Sequence, residues 1–149
     1  MAFAMKMAYS DLVLPENSLK NIFVDGKKAG FQFDLRLNYY RGQYLSVIDS
    51  FAVVIDGKEV PEKSIRFCLN GKEFGICQLE HCYTEFWNIL TPAVVKVLSP
   101  GGLAAGEHKV EVSLFFRSPY MPIGPDHQYM PVDGSGSRVF ILKEGESWQ

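Results

Sequence analysis

This sequence has few of the residue patterns that identify a catalytic centre. Its three histidines, His81, His108 and His127, are scattered and form no His-x-His pair. A cupin-like metal site, which combines such a pair with a carboxylate, is therefore not expected. The chain contains no GxSxG, P-loop or GxGxxG motif, and the Gly-Ser-Gly triplet at 134–136 is too short to hold a phosphate. We predict no catalytic, cofactor-binding or metal-ligating residue in this chain.

Cysteines and excess charge are also scarce. Cys68, Cys77 and Cys82 form no CxxC pair and leave one odd thiol, which indicates reduced cysteines in a cytoplasmic protein. The net charge of −2 gives no electrostatic reason to expect binding to nucleic acid or to an anionic membrane. No uncharged run reaches the about 18 residues of a membrane span. The first eleven residues lack the apolar core of a secretory signal, so none is expected.

The composition is that of a globular protein. The 149 residues are 47% hydrophobic and 21% charged, and they are most simply one domain spanning 1–149. Residues 1–18 are expected to form a lead-in that ends in a turn. Aromatic residues make up 13% of the chain, and they favour strands and protein interfaces.

Alternating hydrophobicity predicts β-strands through most of the chain. Residues 29–39 and 110–117 place an apolar side chain at every second position, as in a strand with one buried face. Further candidates are the apolar runs at 19–24, 65–69, 74–76, 94–97 and 138–142. Asp56-Gly57 and Asn70-Gly71 are hairpin signals, and Asp25-Gly26 ends the first strand. We predict an all-β fold: an antiparallel β-sandwich of about 8–9 strands with jelly-roll or Greek-key connections.

Two segments depart from this simple pattern. Residues 44–55 are apolar on both sides, so we expect one strand there whose outer face is covered by a loop or by a partner. Residues 78–90 fit either a short helix or a strand that leads to Trp87, and we favour mostly strand or loop.

A long segment at 118–137 separates the last two predicted strands. It contains four prolines, and we expect a stiff Pro- and Tyr-rich loop, because compact domains rarely keep an irregular segment this long unless it is functional. Arg117 could hold this loop by pairing with Asp126 or Asp133. Alternatively, the segment presents its side chains to a sugar or to the active site of a partner protein. The candidate interface residues are Phe115, Arg117, Tyr120, Met121, Asp126, His127, Tyr129, Met130 and Asp133.

Three features of this segment resemble a known family. They are the Phe-Phe-Arg strand end at 115–117, the Ser-Pro-Tyr step at 118–120 and the Tyr-Met-Pro-Val-Asp run at 129–133. Together with the chain length and the all-β pattern, they resemble the small (β) subunit of bacterial C-glycoside deglycosidases.

The resemblance implies a β-sandwich subunit that binds a catalytic α subunit in a hetero-oligomer. That α subunit would be a TIM barrel similar to sugar isomerases, with a divalent metal, typically manganese. The complex would be a carbon–carbon lyase that cleaves 3-oxo-C-glycosides derived from flavonoid C-glucosides, and this chain would hold no cofactor. Two alternatives remain: a stand-alone carbohydrate-binding sandwich and a small independent β-barrel enzyme.

Overall fold

The computed structural model describes residues 5–6, 13–39, 41–122 and 129–142, and in these ranges the chain is almost entirely β-structure. The strands are β1 (Met5–Lys6), β2 (Lys20–Val24), β3 (Lys27–Leu35), β4 (Gln43–Tyr44), β5 (Ile48–Ile55), β6 (Lys58–Glu59), β7 (Ile65–Leu69), β8 (Lys72–Gly75), β9 (Phe86–Trp87), β10 (Ala93–Leu98), β11 (Gly106–Pro122), β12 (Tyr129–Asp133) and β13 (Gly136–Leu142). Short 3-10 helices occur at Leu45–Val47, Glu62–Ser64 and Ile76–His81.

The strands form two main sheets and one small ribbon. Sheet A has the order β1-β12-β11-β5-β6, and β13 also pairs with β11. Sheet B has the order β2-β3-β10-β7-β8, while β4 and β9 form the two-stranded ribbon. Every pair is antiparallel except β1 with β12. The prediction of an all-β antiparallel sandwich is confirmed.

The core lies between the two sheets and is built from the alternating positions. Val110, Val112, Leu114 and Phe116 of β11 are all at most 2% exposed, as their spacing predicts. A chain of edge-to-face aromatic contacts crosses this core. The ring of Phe67 in sheet B lies 5.7 Å from Phe51 in sheet A and 5.2 Å from Trp87 in the ribbon. These contacts fix the spacing of the two sheets and attach the ribbon to them.

Three predicted turns form where Asp-Gly or Asn-Gly pairs occur. Asp25, Asp56 and Asn70 have φ values of 51°, 50° and 54°, and each following glycine also has a positive φ. Two successive residues with positive φ make a type I′ turn, whose twist matches that of the flanking strands. Each turn connects two paired strands: β2 with β3, β5 with β6, and β7 with β8.

The expected long loop at 118–137 is instead strand over much of its length. The register between β11 and the returning chain is constant from the Gly106–Leu142 pair to the Arg117–Pro131 pair. It shifts only before the Pro122–Tyr129 pair, in the part of β11 that contains Pro119 and Pro122. Proline is tolerated at such irregular pairings. The segment is therefore the outer part of a long β-hairpin, and residues 123–128 lie outside the described residues.

A short interruption at Gly134 and Ser135 separates β12 from β13 without breaking the hairpin. The Gly134 N–H donates to the Leu114 carbonyl at 2.8 Å. The Leu114 N–H in turn donates to the hydroxyl oxygen of Ser135 at 3.0 Å, so a side chain takes the place of a ladder carbonyl. The pairing of β11 with the returning chain therefore continues from β12 to β13 across Gly134 and Ser135.

The two segments that depart from the simple strand pattern, 44–55 and 78–90, each contain or adjoin a 3-10 helix. Residues 44–55, expected as one strand, divide into β4, the turn at Leu45–Val47 and β5. The strand expected to return through Ile76 ends at Gly75, and Ile76–His81 is a 3-10 helix that precedes the two residues of β9. In the described part of the chain, no helix has the length and apolar character needed to cross a membrane.

Candidate partner interface

The outer faces of both sheets carry charged side chains, but the small and apolar side chains between them differ. On sheet B, the strand registers place Lys20, Gln32, Lys96 and Arg66 side by side in one row. The neighbouring row contains Asp34 and Glu73, and Lys96 pairs with Glu73 at 3.2 Å. Long charged side chains of both signs keep this face in water, as is usual for a sandwich.

Sheet A presents small and apolar side chains on β5 and β13, while β11 between them adds Glu107, Lys109 and Glu111 to the same outer face. The registers place Ser113 beside Ala52, Glu111 beside both Val54 and Ser137, and Phe115 beside Ser50. Farther along β13, Val139 and Ile141 on the same face are 52% and 74% exposed. We call this area the flat face; it consists of Ser50, Ala52, Val54, Ser113, Phe115, Ser137, Val139 and Ile141. The short side chains of its serines and Ala52 allow another protein surface to approach the sheet closely there.

A β-bulge in β5 creates the charged edge of the flat face. Phe115 pairs with Ser50 and Phe116 pairs with Ile48, so Asp49 is the additional residue of the bulge. Asp49 is exposed, and it accepts a hydrogen bond from Nε of Arg117 at 2.8 Å. The two side chains are 46% and 47% exposed, so the ion pair is largely solvated. This arrangement corrects the expectation that Arg117 pairs with Asp133.

The structure brings together three of the residues predicted as interface residues. Phe115 is half-buried on the flat face and lies opposite Asp133, with Arg117 two residues beyond it on the same side of β11. Asp133 has a local structural role, because its Oδ1 accepts a hydrogen bond from the Ser135 N–H at 3.0 Å.

The remaining predicted residues belong to the outer part of the hairpin. The backbones of Tyr120 and Met121 are in β11, and those of Tyr129 and Met130 are in β12. Asp126 and His127, including the proposed Arg117–Asp126 pair, lie outside the described residues. The role of these six residues stays a prediction.

A second exposed apolar feature lies on the ribbon formed by β4 and β9. The rings of Tyr44 and Phe86 meet edge to face with centroids 5.1 Å apart, and they are 48% and 39% exposed. A Cβ added at Gly42 would lie 2.5 Å from the Phe86 ring, so a glycine is required to seat that ring. The Tyr44–Phe86 pair is the feature that would serve a carbohydrate-binding module best.

The titratable groups with shifted pKa values have structural contacts. Both ring nitrogens of His108 are engaged: Nδ1 lies 2.7 Å from Asp56 Oδ2, and Nε2 lies 2.7 Å from the Ala104 carbonyl. Burial raises the pKa values of the Cys68 and Cys82 thiols. Among the side chains that the structure describes, no three His, Cys, Asp or Glu residues come close enough together to hold a metal ion. The described residues therefore do not form a site for a divalent metal.

The flat face was not predicted as a unit from the sequence. Its visible signals were the doubly apolar segment at 44–55, which contributes Ser50, Ala52 and Val54, and the predicted interface residue Phe115. The serines of β11 and β13 carry no signal by themselves. They form a surface only through strand pairings between distant parts of the chain.

Comparison with known proteins identifies similar chains. Residues 9–120 match the family described as C-glycoside deglycosidase beta subunit. The C-glycoside deglycosidase beta subunit of Eubacterium cellulosolvens is 36% identical over 119 residues, which cover 74% of this chain and 81% of that one. A 3'-dehydrocarminate deglycosidase beta subunit from a Microbacterium species is 32% identical over 97 residues, covering 64% and 72%. The C-glycoside deglycosidase beta subunit of Microbacterium trichothecenolyticum is 32% identical over 132 residues, covering 87% and 93%.

Proposed function

Because this chain belongs to the C-glycoside deglycosidase beta subunit family, we propose that it is the non-catalytic subunit of a heteromeric C-glycoside deglycosidase. Its role is to bind, stabilise and shape a catalytic α subunit in the cytoplasm. The observation that carries this proposal is the flat face, where Ser50, Ala52, Ser113 and Phe115 form an uncharged patch bordered by Glu111 and by the Asp49–Arg117 pair. Depletion of charge at the centre of a surface is the compositional mark of a protein interface.

The chemistry belongs, in this proposal, to the α subunit. That subunit is a TIM barrel that holds a divalent metal, for which we propose manganese. It cleaves the carbon–carbon bond between sugar and aglycone. The substrate is a 3-oxo-C-glycoside formed from a flavonoid C-glucoside. The name of the Microbacterium relative supports an oxidised sugar, since it specifies a 3'-dehydro compound. A metal held by the partner is also compatible with the described residues of this chain, which bring no three metal ligands together.

Charge insertion on the flat face tests the proposal. Ser113 is exposed at the centre of this face, beside Ala52. Ser113→Glu should leave the sandwich folded, since exposed substitutions usually change stability by less than about 0.5 kcal/mol. The matched control is Gln32→Glu on the outer face of sheet B, where Lys20 and Lys96 flank the new charge.

The measurement combines complex formation with turnover. Wild-type chain, Ser113→Glu and Gln32→Glu are each co-expressed with the candidate α subunit, a sugar-isomerase-like barrel to be sought among the neighbouring reading frames. We expect Ser113→Glu to reduce both co-purification and cleavage of a 3-oxo-C-glucoside, while Gln32→Glu retains both. If Ser113→Glu assembles as well as the control, the flat face is not the interface.

The Tyr44–Phe86 pair supports a second candidate function, that of a stand-alone carbohydrate-binding module. The two functions differ in what the isolated chain does. A module binds sugar by itself, whereas a docking subunit has no need to. Titration calorimetry of the isolated chain with C-glucosides and simple sugars distinguishes them, with Phe86→Ala as the variant that should abolish binding by a module.

A further inference from the structure

A groove next to the flat face offers a second contact surface. It lies between β5 and the 3-10 helix Ile76–His81 and has a volume of about 600 Å³. Its floor contains the apolar side chains of Ile48, Phe51, Ile76 and Leu79, and its rim contains the carboxylates of Asp49, Glu62 and Glu80. Ser50 lines the groove and also belongs to the flat face, so the two surfaces are continuous.

The wall of the groove that β5 supplies is an open strand edge. The short strand β6 pairs only with Val54 and Ile55, and within the described ranges no strand pairs with β5 on this side before those residues. Farther along the same edge, the Val53 carbonyl accepts a hydrogen bond from the Val60 N–H at 2.9 Å. Alternate residues of an antiparallel strand direct both backbone groups toward the same neighbour. The N–H and C=O of Phe51 therefore face the groove, where an added strand could bond to them.

The charges on the rim indicate what kind of segment fits. All charged side chains that line the groove are acidic. Arg117 already engages Asp49, and Glu80 lies 3.5 Å from His81, whereas Glu62 adds a third carboxylate to the groove. An extended segment with lysine or arginine side chains matches both the open backbone edge and this potential.

We infer that this groove binds an extended basic segment of the catalytic α subunit by strand addition to β5. The inference rests on the proposed function, because the segment belongs to the partner with which the flat face is proposed to associate. It names a second contact at which backbone hydrogen bonds supply affinity and the carboxylates select for basic side chains.

Cys77 makes the inference directly testable. Its thiol is exposed and lines the groove, whereas Cys68 lies on the outer face of sheet B and Cys82 is buried. The isolated chain and the reconstituted complex are treated with iodoacetamide, and alkylation at each cysteine is followed by peptide mass spectrometry. We expect the rate at Cys77 to fall at least tenfold in the complex, while the rate at Cys68 stays unchanged.

Charge reversal gives an independent readout. In the double variant Glu62→Lys and Glu80→Lys, the dissociation constant of the complex should rise at least tenfold at low salt. Glu73→Lys on the outer face of sheet B, which is exposed and outside both the groove and the flat face, should leave the constant within twofold.

The outcomes separate this inference from the proposed function. If no complex forms with the wild-type chain, both proposals fail. If the complex forms while Cys77 reacts at its original rate, only the groove assignment fails. Protection of Cys77 that appears on concentrating the isolated chain would assign the groove to a second copy of this chain and overturn the inference.

Discussion

The contact between His108 and Asp56 should make the stability of this protein depend on pH near neutrality. The Asp56 carboxylate and the Ala104 carbonyl can only accept hydrogen bonds, and each lies 2.7 Å from a different ring nitrogen of His108. Only the doubly protonated imidazolium donates to both. Burial of the ring lowers the pKa of His108, but the hydrogen bonds to Asp56 and Ala104 and the attraction of the carboxylate outweigh it, so the pKa is raised.

The direction of the effect follows from linkage. A histidine whose pKa is higher in the folded state stabilises the fold fully below its unfolded pKa, about 6.5, and loses that contribution as the pH rises through its folded pKa. The pKa of Asp56 is lowered, chiefly by the hydrogen bond from His108 and then by that from the Lys109 N–H. Its contribution is present above the unfolded pKa of an aspartate, about 3.9, and is lost as the pH falls through the lower folded pKa.

The size of the effect is limited by solvent. The imidazole side chain is 13% exposed, but the carboxylate is 44% exposed. A hydrogen bond to a charged group contributes about 1.5–3 kcal/mol when protected, and exposed ion pairs contribute about 0.2–1 kcal/mol. We therefore expect the pair to contribute about 1 kcal/mol to the free energy of unfolding at pH 6, or about a fivefold change in the unfolding equilibrium.

The substitution Asp56→Asn removes the carboxylate charge and keeps the geometry of the turn. Asp56 has a φ of 50° and precedes Gly57, and an Asn-Gly pair suits such a turn equally well. Urea unfolding of the wild-type chain between pH 5.5 and 8.5 should show stability falling with pH by about 1 kcal/mol. The variant should show a flatter profile, and an NMR titration should show a lower pKa for His108.

His81→Asn provides the control, because it removes a histidine from an exposed ion pair with Glu80 and leaves the Asp56 contact intact. Asp56→Asn places an asparagine before Gly57, so mass spectrometry should confirm that this asparagine has not deamidated. If Asp56→Asn retains the wild-type pH profile, another group titrates on folding and the assignment to His108 is wrong.

Three further outcomes are expected. The Arg117–Asp49 pair should contribute no more than about 1 kcal/mol to the free energy of unfolding in a double-mutant cycle of Arg117→Ala and Asp49→Ala, since both side chains are nearly half exposed; a coupling energy above about 2 kcal/mol would contradict this reasoning. Gly42→Ala should cost about 1–3 kcal/mol and change the near-ultraviolet signal of Trp87, because a Cβ would collide with the Phe86 ring and the Trp87 carbonyl. The chelator-washed chain alone should bind no manganese tightly and should not cleave a 3-oxo-C-glucoside, as checked by metal analysis and a turnover assay; stoichiometric metal would refute this.

Patterns among residues that are close in sequence predicted much of the fold. The Asp-Gly and Asn-Gly pairs form turns wherever they precede a returning strand, because both residues tolerate positive φ. The alternation at 110–117 correctly separated the core-facing residues from Phe115 and Arg117. These features depend on neighbouring residues alone, and sequence reasoning captures them well.

Features that depend on distant pairing were missed. Prolines at 119, 122 and 131 suggested a loop, but the pairing with β12 holds these residues in a hairpin with an irregular register. The contact between Arg117 and Asp49 was not predicted. Asp49 lies 68 residues away in sequence and is the additional residue of the bulge in β5.

The dimensions of the flat face limit how much of an interface it can supply. From Glu107 to Phe115, β11 extends about 27 Å, and three strands across give a width of about 14 Å. The resulting planar area of about 400 Å² is roughly half of the about 800 Å² that each partner buries in a standard stable complex. An α subunit bound to the flat face alone would therefore associate weakly. Stable association requires it to cover an adjoining surface as well, and the groove beside Asp49 and the hairpin beyond Arg117 both border this face. Loss of either contact should weaken the complex without abolishing it, whereas loss of both should prevent assembly.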